Sequence, residues 1–240
     1  PIYYEKSKTR KYKKDLNFSY TMGAFPTIEL LQSKNYKTIA VLVHSKYDDK
    51  SGLEKICDEK GINLIYNDKI VNKLQSKENT FVIGVFEKNF AKIKKDNHIL
   101  LCEPRDKGNL GTILRTALGF GFKNIAIIDG CDVFDPKTVR ASMGAIFKMN
   151  VEIFKDFEDY KKTFEENNIY SFILKKESIS LKNVEIKKPF TLMFGNESHG
   201  LENFDLKGTT PVFIEQSEDI DSFNLPIASS IAMYKFTEKE

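Results

Sequence analysis

The strongest constraint in this chain is a rhythm. Strand-length apolar runs recur, and each is followed within a few residues by a segment of helical pattern. "HILLCE" (98–103), "NIAIID" (124–129), "VEIF" (151–154), "YSFIL" (170–174), "TLMFG" (191–195) and "PVFIE" (211–215) read as strands. "NLGTILRTALGF" (109–120) and "DPKTVRAS" (135–142) read as helices, and a last helix starts near Asn224. A strand apolar at successive positions is buried on both faces, so short alternation of this kind predicts a mostly parallel sheet covered by helices. The same rhythm appears earlier, in "TIAVLV" (38–43), "INLIY" (62–66) and "FVIGVF" (81–86), with helices expected over 25–33, 51–61 and 67–75. The charged stretch "EKNFAKIKKDN" (87–97) interrupts it. The chain is therefore expected to be α/β, with a small first domain over 1–90 and a larger one over 98–240.

At 240 residues the chain fits one large domain or two small ones. Its longest apolar runs, such as "IAVLV", are far too short to cross a bilayer. The three cysteines, Cys57, Cys102 and Cys131, are widely spaced and form no CxxC, which argues against a disulfide framework and a thiolate zinc site. His44, His98 and His199 have no metal-ligand spacing either, so no metal is expected. With no signal-peptide pattern at the start, the setting reads as reduced and cytoplasmic. Net charge is only +3, but residues 5–14, "EKSKTRKYKK", hold six Lys/Arg against one Glu. That arm reads either as a contact for a phosphate backbone or as a solvated terminus.

Three stretches carry chemistry. In "NLGTILRTALGFG" (109–121), Leu110, Ile113, Leu114, Ala117 and Leu118 form the core face of a helix and Arg115 lies opposite. Gly111 and Gly119, a turn to either side, are expected to leave bare backbone around Arg115. Gly119 and Gly121 end a helix rather than opening one after a strand, so they make no dinucleotide fingerprint, and no GxxxxGK[ST] is present. In "LMFGNESHGL" (192–201), a strand delivers Gly195, then the loop's one carboxylate, Glu197, then a second glycine. Backbone exposed at a strand's carboxyl end can hold an adenosine-like ligand. Glu197 is either a site carboxylate or a structural acceptor of loop N–H bonds. In "DSFNLPIASSIAMYKF" (221–236), Ser222 or Asn224 is expected to cap the helix and Pro226 suits its first turn. The small Ala228, Ser229, Ser230 and Ala232 allow close packing, including against a second subunit.

Taken in order, these stretches resemble the three motifs of the SpoU/TrmH family of SPOUT-class RNA 2′-O-ribose methyltransferases, and "VRASMGAIFKMNV" (139–151) is similar to that family as well. The resemblance covers 98–236. It implies a C-terminal sheet closed by a deep trefoil knot, preceded by a ribosomal-protein-like RNA-binding domain. It further implies S-adenosylmethionine (SAM) bound at Gly195, Ile214 and Phe223, with Phe194 and Leu225 beside them. Arg115, Asn109, Glu197, Ser222 and Asn224 are the implied catalytic set, and a homodimer is the implied assembly. The implied reaction is methylation of a ribose 2′-hydroxyl in ribosomal RNA. Transfer RNA, a base methyltransferase and a non-catalytic RNA-binding module stand as alternatives. Two departures from the family pattern stand out: Glu215-Gln216 replaces a common Pro-Met, and Phe223 replaces a common Leu.

Overall fold

The computed structural model describes residues 10–175 and 177–238; residues 5–9 of the basic arm lie outside them. It divides into two compact units, Pro1–Asn89 with Asp132–Lys148, and Phe90–Cys131 with Met149–Glu240. The chain passes between the units at 89–90, 131–132 and 148–149. Residues 132–148 thus make an excursion out of the second unit's stretch of sequence into the first unit.

The first unit is built on β1 (Phe18–Tyr20), α1 (Ala24–Gln32), β2 (Thr38–Val43), α2 (Lys50–Lys60), β3 (Leu64–Tyr66), α3 (Asp68–Leu74) and β4 (Val82–Glu87). Its sheet has the order β1-β4-β2-β3, with only β2 and β3 parallel. Asp49 caps α2, accepting from the Gly52 N–H, and Gly61 ends it in the left-handed region. Residues 132–148 join this unit through aromatic packing. Phe134 and Phe147 meet Tyr36 and Phe86 edge-to-face, with centroids 5.0–6.2 Å apart. The Ser33 hydroxyl donates to the Phe147 carbonyl at 2.7 Å, and Tyr12 donates to Asp132.

In the second unit come β5 (His98–Cys102), α4 (Lys107–Gly119) and β6 (Asn124–Ile128). The excursion carries α5 (Pro136–Ala141) and a 3-10 turn, Ala145–Lys148. Then follow β7 (Asn150–Phe154), α6 (Phe157–Thr163), β8 (Asn168–Phe172), β9 (Ile179–Ser180), β10 (Phe190–Phe194), β11 (Thr210–Phe213) and α7 (Leu225–Thr237). The seven strands are ordered β7-β6-β5-β10-β8-β11-β9, and every neighbouring pair is parallel. All residues of β5, β6 and β10 are buried, which is why they read as unbroken apolar runs. The order turns back at β5, with β6 on one side and β10 on the other. Open parallel sheets form ligand crevices at the carboxyl ends of strands near such a reversal.

Candidate active site at the carboxyl edge of the parallel sheet

β10 runs directly into the loop Gly195–Gly200. Asn196 and Gly200 exchange both backbone hydrogen bonds, at 2.9 and 3.0 Å, so the loop is a tight hairpin. Gly200 turns it at φ +57°. The Asn196 side chain accepts from the Ser198 N–H and donates to the Glu103 carbonyl, both at 2.8 Å, which ties the hairpin to the end of β5. A Cβ at Gly195 would fall on the carbonyl group of Gly200 and 2.6 Å from the Leu201 nitrogen. The missing side chain makes room for the loop's own return.

Glu197 reaches across to α4. Its Oε2 accepts from the Arg105 N–H and its Oε1 from the Asp106 N–H, each at 3.1 Å. Asn109 Nδ2 lies 3.5 Å from the same Oε1. Negative charge is favoured at a helix start, where backbone N–H groups lack partners. Asp106 caps α4 itself, accepting from the Asn109 N–H at 2.7 Å. The structural reading of Glu197 thus describes its visible bonds. A carboxylate offers about four lone-pair sites, so one remains for a further donor.

A cavity of about 370 Å³ opens beside this hairpin. Phe194, Gly195, Glu197, Ile214, Ser222, Phe223 and Leu225 all line it. Phe172 stacks on Phe194 with centroids 4.7 Å apart and forms an apolar wall. Asn224 stands beside the cavity at the start of α7 but does not line it, and its side chain makes no capping bond. The expected cap is therefore absent. Ser222 and Asn224 are exposed, and their side-chain polar groups have no partner among the described residues. Arg115 is exposed on α4, does not line this cavity, and likewise makes no ion pair or hydrogen bond among the described residues. Of the glycines near it, Gly111 is buried, while Gly119 faces open space. The bare surface expected around Arg115 is on one side only.

The departures in the loop after β11 have partners. Ser180 donates to Glu215 and holds its carboxyl below the usual range. The Gln216 amide donates to the Asp221 carbonyl at 2.8 Å and closes residues 216–221 on themselves. Cys131 is no nucleophile here: burial pushes its thiol up to about 11, so it stays protonated at neutral pH. Among the described residues no cluster has the makings of a metal site. His199 Nδ1, in the cavity wall, is buried without a partner among them.

The sequence profile of the SpoU rRNA methylase family matches residues 96–234. The chain belongs to that family. Two relatives illustrate the likeness. An uncharacterised tRNA/rRNA methyltransferase of Synechocystis is 29% identical over 134 residues, 55% of this chain and 49% of that protein. The 23S rRNA (guanosine(2553)-2′-O)-methyltransferase RlmP of Bacillus subtilis is 28% identical over 144 residues, 57% of this chain and 56% of that one. The chain thus spans about half the length of these curated relatives. The fold is shared with the AdoMet-bound rRNA methyltransferase of Sinorhizobium meliloti, at 24% identity and TM-score 0.78 over 92% of this chain and 87% of that one. It is shared also with the SpoU methyltransferase AviRb of Streptomyces viridochromogenes in complex with AdoMet, at 18% identity and TM-score 0.81 over 92% and 90%.

Sequence reasoning passed over Arg105, Asn196 and Asp106. Asp106 was legible as an N-cap three residues before Asn109. The bonds of Asn196 and Arg105 span the interval between residues 103–106 and 196–197, and no local pattern announces them.

Proposed function

We propose that this SpoU-family chain transfers a methyl group from SAM to a ribose 2′-hydroxyl of ribosomal RNA. The observation that carries the reading is convergence: Glu197 and residues 214–225 line one cavity, and Glu197 ties that wall to Asn109 at the start of α4, inside the family-matched segment. The cavity volume is in the range of small-molecule sites, about 300–1,000 Å³. Its apolar wall of Phe172, Phe194, Val212 and Phe223 suits an adenine ring, and its strand-end backbone at Gly195 and Ile214 offers polar groups to a nucleoside. The AdoMet-bound neighbours support this cofactor assignment by fold.

Bound SAM would supply an electrophilic methyl on a sulfonium that becomes neutral on transfer. The protein's part is to align the acceptor oxygen and exclude water. Glu197 and Asn109 hold the hairpin to α4 and offer an acceptor to the ribose. Ser222 and Asn224, whose polar groups are unspent, orient the sugar. Arg115 presents a planar fork of N–H donors and no acceptor, so it anchors phosphate and stabilises the developing alkoxide.

The reading extends to assembly and chain path. A homodimer would bring Arg115 of a second copy to the cavity, and the exposed apolar Ile227, Ile231 and Tyr234 on α7 support such a contact. Family likeness over 96–234 supports a trefoil-knotted C-terminal path, and the basic residues at 10, 11, 13 and 14 support an RNA-holding role for the first unit. The test is calorimetric titration with SAM and its demethylated product, for wild type and Ala228→Trp, which fills the cavity from α7. Binding near micromolar that the variant loses while staying folded is expected, followed by 2′-O-methyl mapping on ribosomal and transfer RNA. No SAM binding by folded protein, with or without RNA, would overturn the reading. Marks confined to transfer RNA would redirect it.

A further inference from the structure

Arg105 follows the carboxyl end of β5, bonded to both Glu197 and Asp129. Its backbone N–H is bound by Glu197 Oε2 at 3.1 Å. Its guanidinium Nη2 donates to Asp129 Oδ2, at the end of β6, at 2.9 Å. The two strand ends are clamped: Glu103 N–H donates to the Ile128 carbonyl at 2.8 Å and Cys131 N–H to the Pro104 carbonyl at 2.7 Å. Gly130 packs so closely that a Cβ would meet the Pro104 ring at 3.0 Å. The clamp holds two non-glycine residues in the left-handed region, Glu103 at φ +54° and Asp129 at φ +46°. Such conformations persist where surroundings over-determine them.

Yet the side chain this platform presents is open to water. Arg105 is 53% exposed and Asp129 66%. An exposed pair of this kind contributes little to stability. Asp129 takes one N–H of the five that a guanidinium carries, and the remainder have no partner among the described residues. The arrangement is an oriented, half-exposed cation whose own backbone is bonded to the carboxylate of the site loop. A ribose 2′-hydroxyl always lies next to a backbone phosphate, so a cation here has a ligand to meet.

We propose that Arg105 is a phosphate-binding residue for the RNA that accepts the methyl group, aimed by Asp129 acting as a positioning residue. This rests on the methyl-transfer reading above. The phosphate takes the free edge of the guanidinium while Asp129 holds the other. A lysine, a point charge with no planar fork, cannot do both. Because Glu197 binds the backbone of Arg105, substitutions of the side chain leave that bond in place.

The test is filter binding of an unmodified large-subunit ribosomal RNA transcript across a salt series. It compares wild type, Arg105→Ala, Arg105→Lys, Asp129→Asn and Lys95→Ala. SAM titration and methyl transfer are run on the same preparations. Lys95 precedes the amino end of β5 and serves as a charge-matched control. Arg105→Ala is expected to weaken RNA binding about tenfold and to flatten the plot of log affinity against log salt by about one unit. Arg105→Lys keeps the slope and recovers part of the affinity. Asp129→Asn keeps the slope and loses affinity a few-fold. SAM affinity stays at the wild-type value in all of them. If Arg105→Ala binds RNA with wild-type affinity and slope, or loses no more than Lys95→Ala, the proposal falls alone while wild-type methyl transfer keeps the functional reading. If wild type neither binds nor methylates RNA, both fall together.

Discussion

Two single residues set sharp limits. Gly195 admits no side chain because the hairpin returns across it. Gly195→Ala must push the Gly200 backbone aside, at a cost of about 1–3 kcal/mol. It should lower the urea midpoint and abolish SAM binding together, whereas a residue that only lined the pocket would spare stability. His98 sets a limit of a different sort. It is buried in β5, its Nδ1 paired with the Tyr160 hydroxyl at 2.8 Å and its Nε2 with the Lys94 carbonyl at 2.7 Å. Burial pushes its pKa below the ordinary imidazole value, despite the Lys94 bond. The unfolded chain therefore binds a proton that the folded chain resists, and stability is lost as pH falls below about 6.5. Urea midpoints measured from pH 7.5 down to 5.5 should decline for wild type. His98→Gln should decline less over that window; an equal decline would assign the effect to other groups.

Among the elements, α7 has apolar residues on every side. Pro226, Ala232, Met233 and Phe236 are buried with Ser229, whereas Ile227, Ile231 and Tyr234, spaced i, i+4, i+7, face water. A helix apolar all round normally has neighbours on all sides. The double substitution Ile231→Glu with Tyr234→Glu should convert a dimer to a 27.6 kDa monomer by light scattering, with helical content unchanged. A wild type that is already monomeric at micromolar concentration would remove the premise. The elements also show what could be read from sequence. β5, β6 and β10 were legible because burial on both faces leaves an unbroken apolar run. α6 was not, since only Phe157 and Tyr160 of its seven residues are buried and the rest is dominated by charge. β1, three residues long, is shorter than any periodicity can register. At the site, residues of the motif loops were legible. The bonds from Glu197 to Arg105 and Asp106, and from Asn196 to Glu103, arise only when distant segments return to one sheet edge.

Across the whole molecule, length and alternation announced two α/β layers, but not the way the chain shares itself between them. The family-matched segment, 96–234, includes residues 132–148, whose Phe134 and Phe147 complete the aromatic cluster of the first unit. A fragment ending at residue 90 lacks both rings. Large-to-small changes in aromatic cores cost about 3–5 kcal/mol each, comparable to the whole stability of a small domain. The 1–90 fragment should therefore show no cooperative thermal transition, while the full chain does; a sharply melting fragment would count against this account. The consequence reaches past folding into ancestry. Neither unit can be exchanged by a single crossover, because any one cut between them either parts the first from its borrowed segment or divides the second. Lineages of this chain should inherit the two as one package, and substitutions at Tyr36 or Phe86 should be answered by changes at Phe134 or Phe147.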